Sequence, residues 1–291
     1  MIESVSNLVD EHTLSYSEGD SDLLALFDSY SDRIRQLVAS LTFVAWDVAI
    51  NIVDEIELIW RERWSLAKLF WSLARYLPLL FQFALLCLNG TISLSWTIHQ
   101  CNIWLAVQAV VFQIVVSSAD AIVMIRVYAL YDCKKRLLKC LGPIFYSTLV
   151  IQCFTLYLVL PAITFDSKCT ITSMPPIATL YWSISIVFDG TLFTLMLIKS
   201  RGAFNSEASR MPLLCQFVWD GTLAFILISL TMVVIAFMYQ LLHGPLTSTS
   251  FTWLLSILSV TSSRLLLNPR KTSHCQRTPP RRMSSVNIEV V

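Results

Sequence analysis

Residues 41–81 read LTFVAWDVAINIVDEIELIWRERWSLAKLFWSLARYLPLLF. A first apolar segment runs from Leu37 to Ile59. A charged elbow follows (Arg61, Glu62, Arg63, Lys68), and a second apolar segment starts at Leu69. The first segment carries Asp47, Asn51 and Asp54 at i, i+4 and i+7, which sets three polar groups on one face of a helix. A carboxylate facing lipid is costly, so this face must turn toward protein or water. The stretch therefore predicts one helix of a bundle rather than a lone anchor.

Composition agrees. Of 291 residues, 55% are hydrophobic and 14% charged, against about 25% charged in an ordinary soluble domain. No Asp, Glu, Lys or Arg occurs between Arg75 and Asp120, between Lys139 and Asp166, or between Asp220 and Arg264. Each gap exceeds the roughly 20 residues that cross a bilayer, and the first and third each hold most of two spans. The net charge of +1 singles out no partner. With no basic, aromatic-studded face, nucleic acid is not expected as one. The start MIESVSNLVDEH has neither the basic nor the apolar region of a signal peptide, so the first span is expected to direct insertion.

The sequence predicts an all-α membrane bundle of seven helices, at 37–59, 69–88, 103–128, 141–161, 177–199, 213–241 and 251–267. Residues 1–36 read as an acidic tail, with a short helix at Leu23–Tyr30. Residues 268–291 read as a basic, disordered tail. The prolines fall at or between these span ends, except Pro78, which is expected to kink the second helix. Fifteen lysines and arginines fall in the elbow, in the loops after spans three and five and in the carboxyl tail. Only Arg33, Arg35 and Lys168 lie on the other side. The positive-inside rule then places the amino end outside and the carboxyl end in the cytoplasm, which needs an odd number of spans. Trp96, Trp104, Trp182 and Trp253 fall near outer ends and Trp60, Trp64 and Trp71 near inner ends, as an interfacial belt would. The plasma membrane or another membrane of the secretory pathway is the expected location.

Four groups of residues carry a resemblance. Trp46-Asp47, Glu55-Ile-Glu57-Leu-Ile-Trp60, Arg63-Trp64-Ser-Leu and Arg75-Tyr76-Leu-Pro78 together resemble the amino-terminal signature of a large family of multi-pass membrane proteins of mushroom-forming fungi, known as a domain of unknown function. Arg126-Val-Tyr128-Ala-Leu-Tyr131, Asp220-Gly221-Thr222 and Ser263-Arg264-Leu-Leu-Leu-Asn268 are also similar to that family. The resemblance implies a seven-helix integral membrane protein and implies no activity.

Within or at the edges of the spans lie Asp47, Asp54, Arg75, Asp120, Arg126, Asp189, Asp220 and Arg264, five acids against three arginines. With Asn51 they form a candidate intramembrane polar network, either a switch or ion path or a static lock between helices. Arg126 and Arg264 are near enough to the inner interface to extend toward it. Ser185 lies one turn before Asp189, and Gln113 and Ser117 precede Asp120 on one helix face. Cys101 and Cys169 are a candidate disulfide on the oxidising side, alternatives being two unrelated thiols. Asn89 opens a glycosylation sequon on the predicted outer side, and Ser284 follows Arg281-Arg282 as a candidate phosphorylation site.

The four histidines (His12, His99, His243, His274) fall in predicted tails or loops, and no metal site is expected. No catalytic signature, no phosphate-binding glycine loop and no mid-span lysine for a Schiff base is present, so neither an enzyme nor a cofactor is expected. Three readings remain. One is a receptor-like sensor in the bilayer, meeting a cytoplasmic signalling partner at Lys134, Lys135, Arg136 and Lys139 and an unidentified ligand outside. The second is a transporter or channel using the inner-half carboxylates. The third is a structural or lipid-organising protein.

Overall fold

The computed structural model describes residues 31–61, 63–91, 97–131, 134–165, 171–173, 175–204, 221–223, 225–234, 237 and 246–277. Among these, seven helices form: α1 Ser31–Trp60, α2 Leu66–Thr91, α3 Ile98–Leu130, α4 Lys135–Val159, α5 Ala178–Phe204, α6 Gly221–Val234 and α7 Leu246–Arg277. Five of them, α1 to α5, are long and apolar enough to cross a membrane, while α6 and the Phe251–Leu267 part of α7 are shorter apolar helices. The chain is thus a multi-pass membrane protein by the length and composition of its helices.

An element not expected from the sequence joins α4 to α5. Pro161 sits in a 3-10 turn, Leu160–Ala162, that closes α4. An antiparallel pair follows, β1 Thr164–Phe165 and β2 Ile171–Ser173, in which Thr164 faces Ser173 and Phe165 faces Ile171. This hairpin marks one end of the bundle; the elbow between α1 and α2 and the basic start of α4 mark the other.

α3 is the hub, packed against α2, α4, α5 and α7. It is apolar all round: most of its surface meets neighbouring helices, while Ile103, Val107 and Val110 form an exposed apolar stripe. Phe112, Val115, Val116 and Ala119 of α3 share a core with Phe81 and Leu85 of α2, Tyr181 of α5, Met232 of α6 and Leu254, Leu255 and Leu258 of α7. The outward faces are equally apolar: Trp46, Ile50 and Val53 on α1, Phe83 on α2, Phe154 and Tyr157 on α4 and Val187 on α5 are exposed. Exposed apolar surface on this scale suits acyl chains rather than water.

The serines of α7 form its packing face. Thr252, Ser256, Ser259 and Ser263 recur at one face and are buried. Gln82 of α2 donates to the Thr252 carbonyl (3.0 Å) and to Ser256 Oγ (2.9 Å). Ser256 Oγ donates to the Ser40 carbonyl of α1 at 3.2 Å. Small hydroxyl side chains let three helices approach closely and bond across, which is how a serine-rich segment stays stable in lipid.

Several boundaries differ from the sequence reading. Ser31–Gln36 belong to α1, where Gln36 Oε1 accepts a 2.9 Å bond from Trp253 Nε1 of α7. The Leu23–Tyr30 helix lies outside the described residues. α7 runs through Pro269 to Arg277, and Pro143 lies inside α4, so Pro78 is not the sole interior proline. A helix leaving the bilayer can continue in water, where the carbonyl freed by a proline is solvated. His99 and His274 consequently fall within helices. Of the tryptophans near the predicted span ends, Trp71 is fully buried and Trp104 and Trp182 pack against the core while partly exposed.

Candidate functional site

Arg75 of α2 is wholly buried, and two acids of α1 surround it. Its Nη1 donates to Asp47 Oδ2 at 2.5 Å and its Nε to Glu55 Oε1 at 3.0 Å. Nη2 lies 2.8 Å from the same Glu55 oxygen. Tyr76, the next residue, donates to Glu55 Oε2 at 2.6 Å. Asn51 donates to the Asp47 carbonyl at 2.8 Å. From α7, Ser259 donates to the Arg75 carbonyl at 3.0 Å, and Arg264 Nη2 lies 3.4 Å from Asp47 Oδ1. Two carboxylates meet two guanidiniums, so the cluster can be neutral as a whole, the condition for burying it.

Local sequence produces this arrangement. Asp47, Asn51 and Glu55 are spaced by four, just over one turn each, so they drift slowly around one face. Directly after Glu55 the helix widens into a π turn, Ile56–Trp60, closed by the Arg61 amide on the Ile56 carbonyl at 3.3 Å. The wider turn accompanies burial of Ile59 and places Trp60 at the elbow. There Trp71 meets Trp60 and Tyr76 edge to face and Trp60 is tilted against Tyr76, 5.8 to 6.5 Å between ring centres. Lys68 is buried against the elbow, donating to the Trp60 carbonyl (3.1 Å) with its ammonium 4.8 Å from the Trp64 ring centre. It therefore fixes the turn as well as adding positive charge.

A second polar column crosses the other half of the bundle. Tyr181 Oη of α5 donates to Gln113 Oε1 of α3 at 2.7 Å. Gln113 Nε2 donates to Gln152 Oε1 of α4 and to Ser117 Oγ, each at 3.0 Å. Further along α3, the buried Asp120 faces Asp189 of α5 in side-chain contact. Above Tyr181, toward the hairpin, lies a cavity of about 90 Å³. Phe112, Trp182 and Phe251 wall it, Ile163 and Ile171 border it at the hairpin end, and Gln108 supplies an amide.

The predicted network is thus two clusters. Asp47, Asn51, Arg75 and Arg264 form the first; Asp120 and Asp189 belong to the second. Asp54 is half-buried, and Glu55, its neighbour, takes the place beside Arg75. Arg126 is buried, whereas the Arg264 side chain is 66% exposed. Asp220 lies outside the described residues. Cys101 is buried and disulfide-bonded. Cys169 lies outside the described residues, as does Ser284. The Asn89 sequon falls in the last turn of α2 rather than in a loop. Lys134, Lys135, Arg136 and Lys139 are exposed at the start of α4.

Glu55, Tyr76, Gln152 and Tyr181 were missed as site residues by the sequence reading. A signal existed for Glu55, the i+8 partner of Asp47; none existed for Gln152 or Tyr181, whose partners are on other helices.

The cluster around Arg75 belongs to one stretch of chain. Residues 37–80 match a family of unknown function, DUF6533. The DUF6533 segment supplies Asp47, Asn51, Glu55, Arg75 and Tyr76, and Arg264 and Ser259 come from α7 outside it. The match carries no activity. No curated protein and no solved structure matches the chain. Among the described residues no group of three or more His, Cys, Asp or Glu could hold a metal ion.

Proposed function

We propose that the chain is a receptor-like sensor of seven membrane-crossing helices, amino end outside and carboxyl end in the cytoplasm. The observation that carries this reading is the position of the cavity. It lies at the hairpin end of the bundle, opposite the basic start of α4, with the Tyr181–Gln113–Gln152 bonds directly beneath it. A ligand there would bear on the ring of Tyr181 and so on the bonds joining α3, α4 and α5, giving binding a means of shifting helix packing. At the far end, Lys135, Arg136 and Lys139 occupy the first turns of α4, where the helix dipole disfavours positive charge. They do not serve helix stability; besides orienting the chain, they are exposed and offer a docking surface to an acidic partner. In this orientation Asn89 lies outside and Ser284 in the cytoplasm.

The test is a crosslinking survey from photoreactive residues at Lys135 and Lys139 in native membranes. A partner captured there and lost on reversing the charges of Lys134, Lys135 and Arg136 supports the sensor. A survey that captures none overturns it.

One observation favours a second reading. Asp120 and Asp189 face each other inside the bundle, and paired intramembrane carboxyls are the chemistry of a proton-coupled path. Proton or solute flux in reconstituted vesicles, abolished by Asp120→Asn and Asp189→Asn, would establish a transporter. Vesicles without flux remove that reading.

A further inference from the structure

We propose that the cavity beneath the hairpin binds a small neutral lipophilic molecule bearing one hydroxyl or carbonyl group. This names the ligand class of the site on which the sensor reading rests. Three aromatic side chains give the cavity rigid apolar walls, Phe112 lying 5.8 Å from Trp182 and 5.8 Å from Phe251 between ring centres. The rest of the described lining is aliphatic apart from Gln108 and Tyr181, a fourth aromatic ring bearing a hydroxyl, and the Trp182 indole N–H is a further donor on the wall. That hydroxyl is already committed to Gln113. The Gln108 side chain makes no hydrogen bond among the described residues, and its amide offers both a donor and an acceptor. Among the described residues no charged side chain lines the space, so a carboxylate or ammonium there would meet no compensating charge from them.

Water fits this space poorly as an occupant. An ordered buried water needs two to four polar partners, and the described lining is polar only at Gln108, the Tyr181 hydroxyl and the Trp182 indole N–H, so most of the space offers none. An apolar body that displaces such water while its single polar group meets Gln108 gains on both counts. The volume of about 90 Å³ encloses a compact hydrocarbon group, a longer chain continuing toward the opening.

The experiment uses the full-length protein in phosphatidylcholine nanodiscs and a photoreactive eight-carbon alcohol carrying a diazirine. Saturable labelling is expected within 105–112 and 178–182, with 1-octanol competing about three- to ten-fold better than octane. Gln108→Leu should weaken labelling by about three- to ten-fold, the effect of one hydrogen bond, and make octanol and octane equal competitors. Ala109→Trp should abolish labelling by filling the space. Should that variant fail to fold, Gln108→Leu alone decides, since it removes only the amide. Labelling that does not saturate, that falls only on the outward Phe154 and Tyr157, or that octane suppresses as well as octanol in the native chain overturns the proposal.

A second readout separates this from the sensor reading. A bimane on Cys140, the other unbonded cysteines replaced by serine, reports the basic end of α4. Saturable labelling without a change in its emission keeps the site and removes the sensor. Loss of saturable labelling removes the site and leaves the sensor to the crosslinking survey.

Discussion

The Arg75 guanidinium meets the Glu55 carboxylate at 2.8 Å with neither side chain exposed. A buried pair of this kind adds little net stability over an apolar replacement of both members, yet losing one member leaves the other charge stranded. Arg75→Met should therefore cost about 3–5 kcal/mol. Combining it with Asp47→Asn and Glu55→Gln should recover most of that loss. Thermal unfolding in detergent measures both, and a single variant as stable as the parent would show that the pair does not hold α1 to α2.

Asp47 bridges Arg75 and Arg264, and the two contacts should be unequal. Arg264 is mostly exposed and 3.4 Å away, so its attraction is screened, and Arg264→Ala should cost no more than about 1 kcal/mol. Asp47→Asn removes a charged acceptor from the buried guanidinium and should cost about 1.5–3 kcal/mol. Equal losses in the same melting experiment would contradict the geometry.

Tyr181→Phe keeps the cavity wall and removes only the bond to Gln113. Hydrogen bonds between membrane helices average about 0.6 kcal/mol and reach about 1.7. A loss in that range is expected, and labelling of the cavity by the photoreactive alcohol should persist because the ring remains.

Gly221 on α6 faces Met196 of α5, whose Sδ would lie 2.8 Å from an added Cβ. The obstruction is the end of a flexible side chain, so Gly221→Ala should be mild. Gly221→Leu should cost about 1–3 kcal/mol by overpacking. Met196→Ala should relieve much of it, and a double variant no better than the single would place the strain elsewhere.

Cys101 should pair with Cys169, which lies between β1 and β2 in the sequence. Mass spectrometry of an unreduced digest should find one linked peptide containing both. A link from Cys101 to any other cysteine would refute that assignment.

Hydropathy located helices α2 to α5. The stretches at 69–88, 103–128, 141–161 and 177–199 lie within α2 to α5, the last two allowing for the 3-10 turn after α4 and one residue before α5. A bilayer requires about 20 apolar residues per crossing, a constraint on composition that any reading along the chain detects. That acids within those helices must face inward was equally legible, because lipid penalises the alternative at every such position. Which acid meets which arginine was decided by tertiary structure. Asp54 and Glu55 are adjacent in sequence, yet one residue turns a helix by about 100°, and only Glu55 points at Arg75. The π turn, the partners of Tyr181 and the cavity above it depend on how separate helices rotate against one another. No local pattern records that rotation; it is settled when the seven faces pack together.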